Sequence, residues 1–64
     1  MTIGEIYTIN HRRKGLFNIK LIEESPEWFK GEIVAGTAKM VAHFTDDLTV
    51  GDIVNCKKSL CTIT

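Results

Sequence analysis

Proline occurs once in this chain, at Pro26, and cysteine twice, at Cys56 and Cys61. Two cysteines are too few for a disulfide scaffold, so an apolar core has to hold the chain together. No apolar run approaches the roughly 20 residues that span a bilayer. The opening MTIGEIYTIN has no charged start followed by an apolar stretch, so no signal peptide is expected. Net charge is missing as well, because eight basic and eight acidic residues cancel. A neutral chain lacks the broad positive field of a nucleic-acid packager, and electrostatic binding is left to a local patch. The spacings G-x-S-x-G, G-x-x-x-x-G-K and H-E-x-x-H are absent. With 64 residues, one domain spanning 1–64 is the expectation, near the lower limit for a core that folds alone. So short a chain leaves little room for a deep cleft with its own supporting shell. Neither an enzyme nor a cofactor is expected. Without an export signal, the reducing cytoplasm and free thiols are the default.

What is present is ordinary globular material, 44% apolar and 25% charged. The most readable stretch runs from His11 to Gly36. Arg12-Arg13-Lys14-Gly15 reads as a connection ending in a glycine that tolerates positive φ. Leu16 to Glu23 follows, with Phe17, Ile19 and Leu21 alternating against Asn18 and Lys20, the period of a half-buried strand. Glu24-Ser25-Pro26-Glu27 is a turn, with proline suited to its position. Trp28 to Ala35 is a second strand, with Phe29, Ile33 and Ala35 on one parity. Gly31 suggests a bulge or bend within it.

On either side the signals are shorter. Thr2 to Asn10 suits a strand, with Ile3, Tyr7 and Ile9 on one parity and Ile6 on the other. Ala38 to Phe44 alternates as a strand, and helix over 37–44 is the second reading, with Thr37 as its cap. A single helical turn fits Asp46 to Leu48. Ile53 to Lys57 and Ser59 to Thr64 read as a last hairpin. The predicted class is all-β, a small antiparallel five- or six-stranded SH3-like barrel. The alternative is an antiparallel sheet with one short helix at 37–44.

The candidate binding residues are Arg12, Arg13, Lys14, Lys20, Trp28, Lys30 and Tyr7. Arginine forks match phosphate, and aromatic rings stack on bases. A solvated basic turn, with Phe17 and Tyr7 in the core, explains the same residues. Trp28 is either a corner of the core or a contact anchor on the face of Lys30 and Glu32. Glu23, Glu24 and Glu27, and Asp46, Asp47 and Asp52, read as solvated turn residues, without the spacing of a calcium loop. A hairpin turning at Lys58-Ser59 would set Cys56 opposite Cys61, within disulfide range. Two small buried thiols are the preferred reading. Zinc would need two more ligands, with only His11 and His43 on offer, so no metal is expected.

The segments His11-Arg12-Arg13-Lys14-Gly15-Leu16-Phe17, Glu27-Trp28, Gly36-Thr37-Ala38-Lys39, Gly51-Asp52-Ile53-Val54 and Lys58-Ser59-Leu60-Cys61 resemble a group of small bacteriophage and prophage proteins. The resemblance covers most of the chain. It implies a bacterial cytoplasmic setting, carries no known activity and assigns no catalytic residue. Likeness to peptide-binding SH3 domains is architectural only. The acidic-aromatic strand opening and aromatic groove of that family are absent, so proline-rich peptides are not the expected ligand. The expected function is a binding module, a phage-type accessory protein contacting a host protein through Trp28 and charged patches. A nucleic-acid-binding barrel using 11–14 is the alternative, placed second because net charge is zero. Homo-oligomerisation through an edge strand at Ile53 to Thr64 or Thr2 to Asn10 is the third reading.

Overall fold

The stretch in which Phe17, Ile19 and Leu21 alternate with polar residues lies in the longest strand, on which the sheet is built. A computed structural model describes residues 1–40 and 46–64. The strands are β1 (Ile6–His11), β2 (Gly15–Glu24), β3 (Trp28–Gly36), β4 (Ile53–Lys57) and β5 (Cys61–Ile63). A single 3-10 turn, Lys58–Leu60, joins β4 to β5. All pairings are antiparallel, in the order β4-β3-β2-β1-β5. The protein is thus all-β, one five-stranded sheet with almost no helix among the described residues. β4 and β5 are the two edges and do not pair with each other, so the sheet is not closed.

Alternation in β2 works as expected. Phe17, Ile19 and Leu21 are buried, while Leu16 and Ile22 stand exposed. Ile9, Phe29 and Ile33 join them, and Ala38, Val54 and Cys56 complete the buried cluster. Tyr7, Leu48, Cys61 and Ile63 pack on its margin. Two slips bend the β2–β3 pair. Val34 is the extra residue at one and Ile22 at the other. An inserted residue inverts the parity beyond it, which is why Ala35, expected in the core, is exposed. Gly31 sits beside the second slip but is not itself the extra residue. Its place is fixed by close approach, since a Cβ there would lie 2.5 Å from Ile19 Cδ1 and 2.9 Å from the Lys20 carbonyl oxygen.

The ends depart from the sequence reading. Residues 2–5 form a turn rather than strand, held by Gly4 N–H to Leu21 O and Leu21 N–H to Glu5 O. Ile3 is therefore exposed, and so is Ile6, on the outer face as its parity required. The last hairpin does not exist. The 3-10 turn carries the chain from one sheet edge to the other, so Cys56 pairs with Phe29 and Cys61 with His11. A hairpin and such a crossover look alike in sequence when the connection is three residues long. β5 covers the outer edge of β1 from Thr8 to His11, so of the two edge segments expected, the one over residues 2–10 is largely paired. Leu48 forms an isolated antiparallel bridge with Ala38, in place of the helical turn expected at Asp46 to Leu48. Ala38 has that single bridge only. The rest of the strand-or-helix segment, with His43 and Phe44, falls largely on 41–45, outside the described residues.

Candidate binding groove

The groove begins with a histidine that shapes a loop. His11 ends β1 with only 5% of its surface exposed. Its Nδ1 accepts hydrogen bonds from the backbone N–H groups of Arg13 at 3.0 Å and Lys14 at 3.1 Å. An imidazole nitrogen that accepts twice carries no proton, so the ring is neutral with its hydrogen on Nε2. Burial holds the His11 pKa below its ordinary value, and the charges of Lys14 and Arg13 add to the effect. Gly15, at φ +86°, then reverses the chain into β2. The turn is pinned a second time where Lys39 N–H donates to Lys14 O. Lys14 Nζ reaches Met40 Sδ at 3.7 Å.

Trp28 comes from the opposite side. The Ser25-Pro26-Glu27 turn closes with Ser25 N–H donating to Trp28 O and Trp28 N–H to Ser25 Oγ. This sets Trp28 as the first residue of β3, facing Lys57 across the sheet. On β4, Val54 and Cys56 point into the core, which turns Asn55 and Lys57 outward. Arg13, Lys14, Trp28, Asn55 and Lys57 border an open groove of about 210 Å3, with His11 and Leu60 also lining it. Trp28 is 47% exposed there. No acidic side chain is among the described residues that line it.

Two further hollows, of about 300 and 250 Å3, adjoin this groove around the 3-10 turn. One shares Lys57 and adds Pro26, Glu27, Lys58 and Ser59. The other shares Leu60 and adds Asn10, Arg12 and Thr62. Lys58 is bound to Glu24, which also pairs with the N-terminal amine at 3.3 Å. The Lys58 hydrogen bond, helped by that amine and opposed by desolvation, holds the Glu24 carboxyl below its usual range. Arg12, Arg13, Lys14 and Lys57 form no ion pair among the described residues.

Of the expected binding residues, then, Arg13, Lys14 and Trp28 come together, and Arg12 lies in the adjoining hollow. Lys20, Lys30 and Tyr7 do not join them. Lys20 is on the outer face between Ile6 and Glu32. Lys30 is half-buried between Glu23 and Asn55. Tyr7 packs on the core margin, its hydroxyl accepting from Thr2 N–H at 2.6 Å. Asn55 and Lys57 were not legible as site residues. Their outward parity follows from Val54 and Cys56, but the register that sets Lys57 beside Trp28 is long-range.

Cys56 and Cys61 are free thiols, buried and half-buried. Burial, reinforced by Cys61, pushes the Cys56 thiol up to about 12. Burial also raises Cys61, whose Sγ donates to Lys57 O at 3.4 Å. Both are poor nucleophiles at neutral pH. The described residues contain no group of three or more side chains placed to hold a metal, and no helix long and apolar enough to cross a membrane. Comparison with family models, with curated proteins and with solved structures gives no match.

Proposed function

We propose that this is a non-enzymatic binding module whose groove around Trp28 receives an anionic segment of a macromolecular partner. One observation carries the reading: a half-exposed indole and the cations of Arg13, Lys14 and Lys57 converge on one groove with no acidic lining residue among those described. Tryptophan and arginine are the side chains that dominate contact surfaces. An anion replaces the water around these cations at modest cost, because none is tied to a carboxylate. The sheet supports an SH3-like half-open barrel as the scaffold. A meander of β1 to β4 followed by a 3-10 turn that returns β5 to β1 is the strand order such a barrel needs. A phage-type accessory role in the bacterial cytoplasm rests on the sequence resemblance, and with it a host macromolecule as the partner.

The test is an amide-resolved NMR titration with two synthetic polyanions, polyglutamate and oligothymidylate, at low and moderate salt. Shifts are expected at residues 11–14, Trp28 and 55–60, shrinking as salt rises. The reading fails if neither polyanion moves these amides at low salt.

A further inference from the structure

We infer that the groove takes single-stranded nucleic acid, one base lying on the Trp28 indole while the backbone passes around the 3-10 turn along Lys57, Arg13 and Arg12. This rests on the groove being an anion site. It goes further by naming which polyanion fits.

Three features separate a nucleic-acid strand from an acidic peptide. The first is the indole itself. Carboxylate side chains gain little from a flat π face, whereas every base has one to stack on it. Trp28 is 47% exposed at the groove edge, available without rearrangement. The second is the spread of charge. Lys57 belongs to two hollows, Leu60 links the groove to the third, and Ser59 is common to the outer two. The cations therefore lie along a path around one short turn rather than at a point. A backbone carrying one charge per unit uses such a path. The third is the neutral polar content beside the cations, Asn55 in the groove and Asn10, Ser59 and Thr62 in the hollow with Arg12. These side chains both donate and accept, as base edges and sugars require. Glu27 lines the hollow on the other side of Lys57, beside the Glu24-bound Lys58, and it repels a polyanion there. The strand therefore leaves Trp28 and Lys57 in the direction of Arg13 and Arg12.

Zero net charge has a consequence of its own. Without a long-range positive field, affinity is modest and set by local contacts. With about three to five phosphates neutralised on a single strand, affinity falls roughly twenty- to hundredfold between 50 and 200 mM salt.

The experiment compares three polyanions of similar charge. They are an oligothymidylate of about eight nucleotides, its abasic counterpart with the same phosphates, and polyglutamate. Binding is followed by anisotropy, and by the fluorescence of the chain's single tryptophan. Oligothymidylate should quench Trp28 and bind about tenfold tighter than the abasic strand. Trp28→Leu should remove most of that advantage, weakening oligothymidylate far more than the abasic strand. Arg12→Gln, an exposed change that does not touch the core, should lower the salt slope by about 0.7. If polyglutamate binds as tightly as oligothymidylate, or Trp28→Leu weakens all three alike, the nucleic-acid inference is overturned while the anionic groove stands. If none of the three binds at low salt, both readings fall. A thermal melt of each variant separates lost binding from lost folding.

Discussion

His11 shows how much one side chain can settle. In sequence it merely heads the basic run Arg12-Arg13-Lys14. In the fold it is neutral, and two backbone N–H groups hang on its Nδ1. Removing it by His11→Ala leaves those donors without their acceptor, at an expected cost of about 1–3 kcal/mol in urea denaturation. Acid does the same work. The folded pKa of His11 lies below the ordinary 6.5, so below that pH the unfolded chain takes up the proton first. Stability is then complete above 6.5 and declines as pH falls from there toward the folded value. His11→Asn, whose side-chain oxygen also accepts but does not titrate, should flatten this decline, and an unchanged pH profile in that variant would remove His11 as its cause. Cys56 sets the opposite flank. Its folded thiol titrates at about 12 against an ordinary 9.0. The unfolded chain loses this proton first, and stability falls as pH rises from about 9 to 12. Cys56→Ala should be less stable at neutral pH, from the cavity it leaves, but should lose the thiol's share of the alkaline decline.

At the level of elements, the hairpin of β2 and β3 was legible because its signals are local. Phe17, Ile19 and Leu21 alternate, the Ser-Pro turn is compact, and the glycine after Lys14 marks the reversal. What was not legible is whatever depends on distant pairing. The parity of Ala35 could not be read without knowing that Val34 is extra. The fate of Lys58–Leu60 turned on whether β5 returned to β4 or crossed to β1, and three residues permit either. The groove shares this division. Arg13, Lys14 and Trp28 were visible as types, whereas Asn55 and Lys57 were hidden in a register. Gly31 belongs to this scale as well. Its missing side chain lets β3 lie close against Ile19 and the Lys20 carbonyl. Gly31→Ala should destabilise by about 1–3 kcal/mol through overpacking. Ile19→Val in the same chain should restore only part of this, because the Cβ of residue 19 and the Lys20 carbonyl oxygen stay in place. Full restoration would mean that the Ile19 methyl alone sets the limit.

For the whole molecule, the decisive fact is that the chain's last strand holds its first. β5 is three residues long, yet it covers the free edge of β1 and brings Ile63 onto the core. Thr8 and Thr64 exchange both backbone hydrogen bonds, at 3.2 and 3.0 Å, and Arg12 N–H donates to Leu60 O at 2.9 Å. That last bond ties the basic turn to the 3-10 turn, so the groove exists only when the two ends of the chain have met. A 64-residue domain has little stability in reserve. Truncation after Leu60 removes β5, uncovers the β1 edge beside the otherwise buried Ile9 and His11, and takes away one side of the Arg12 hollow. The truncated chain should lose its cooperative thermal transition by circular dichroism, rather than melt a few degrees lower. A truncated chain that still melted cooperatively near the original midpoint would show that the β1–β4 meander folds without β5. The crossover would then serve to build the groove and not to hold the fold.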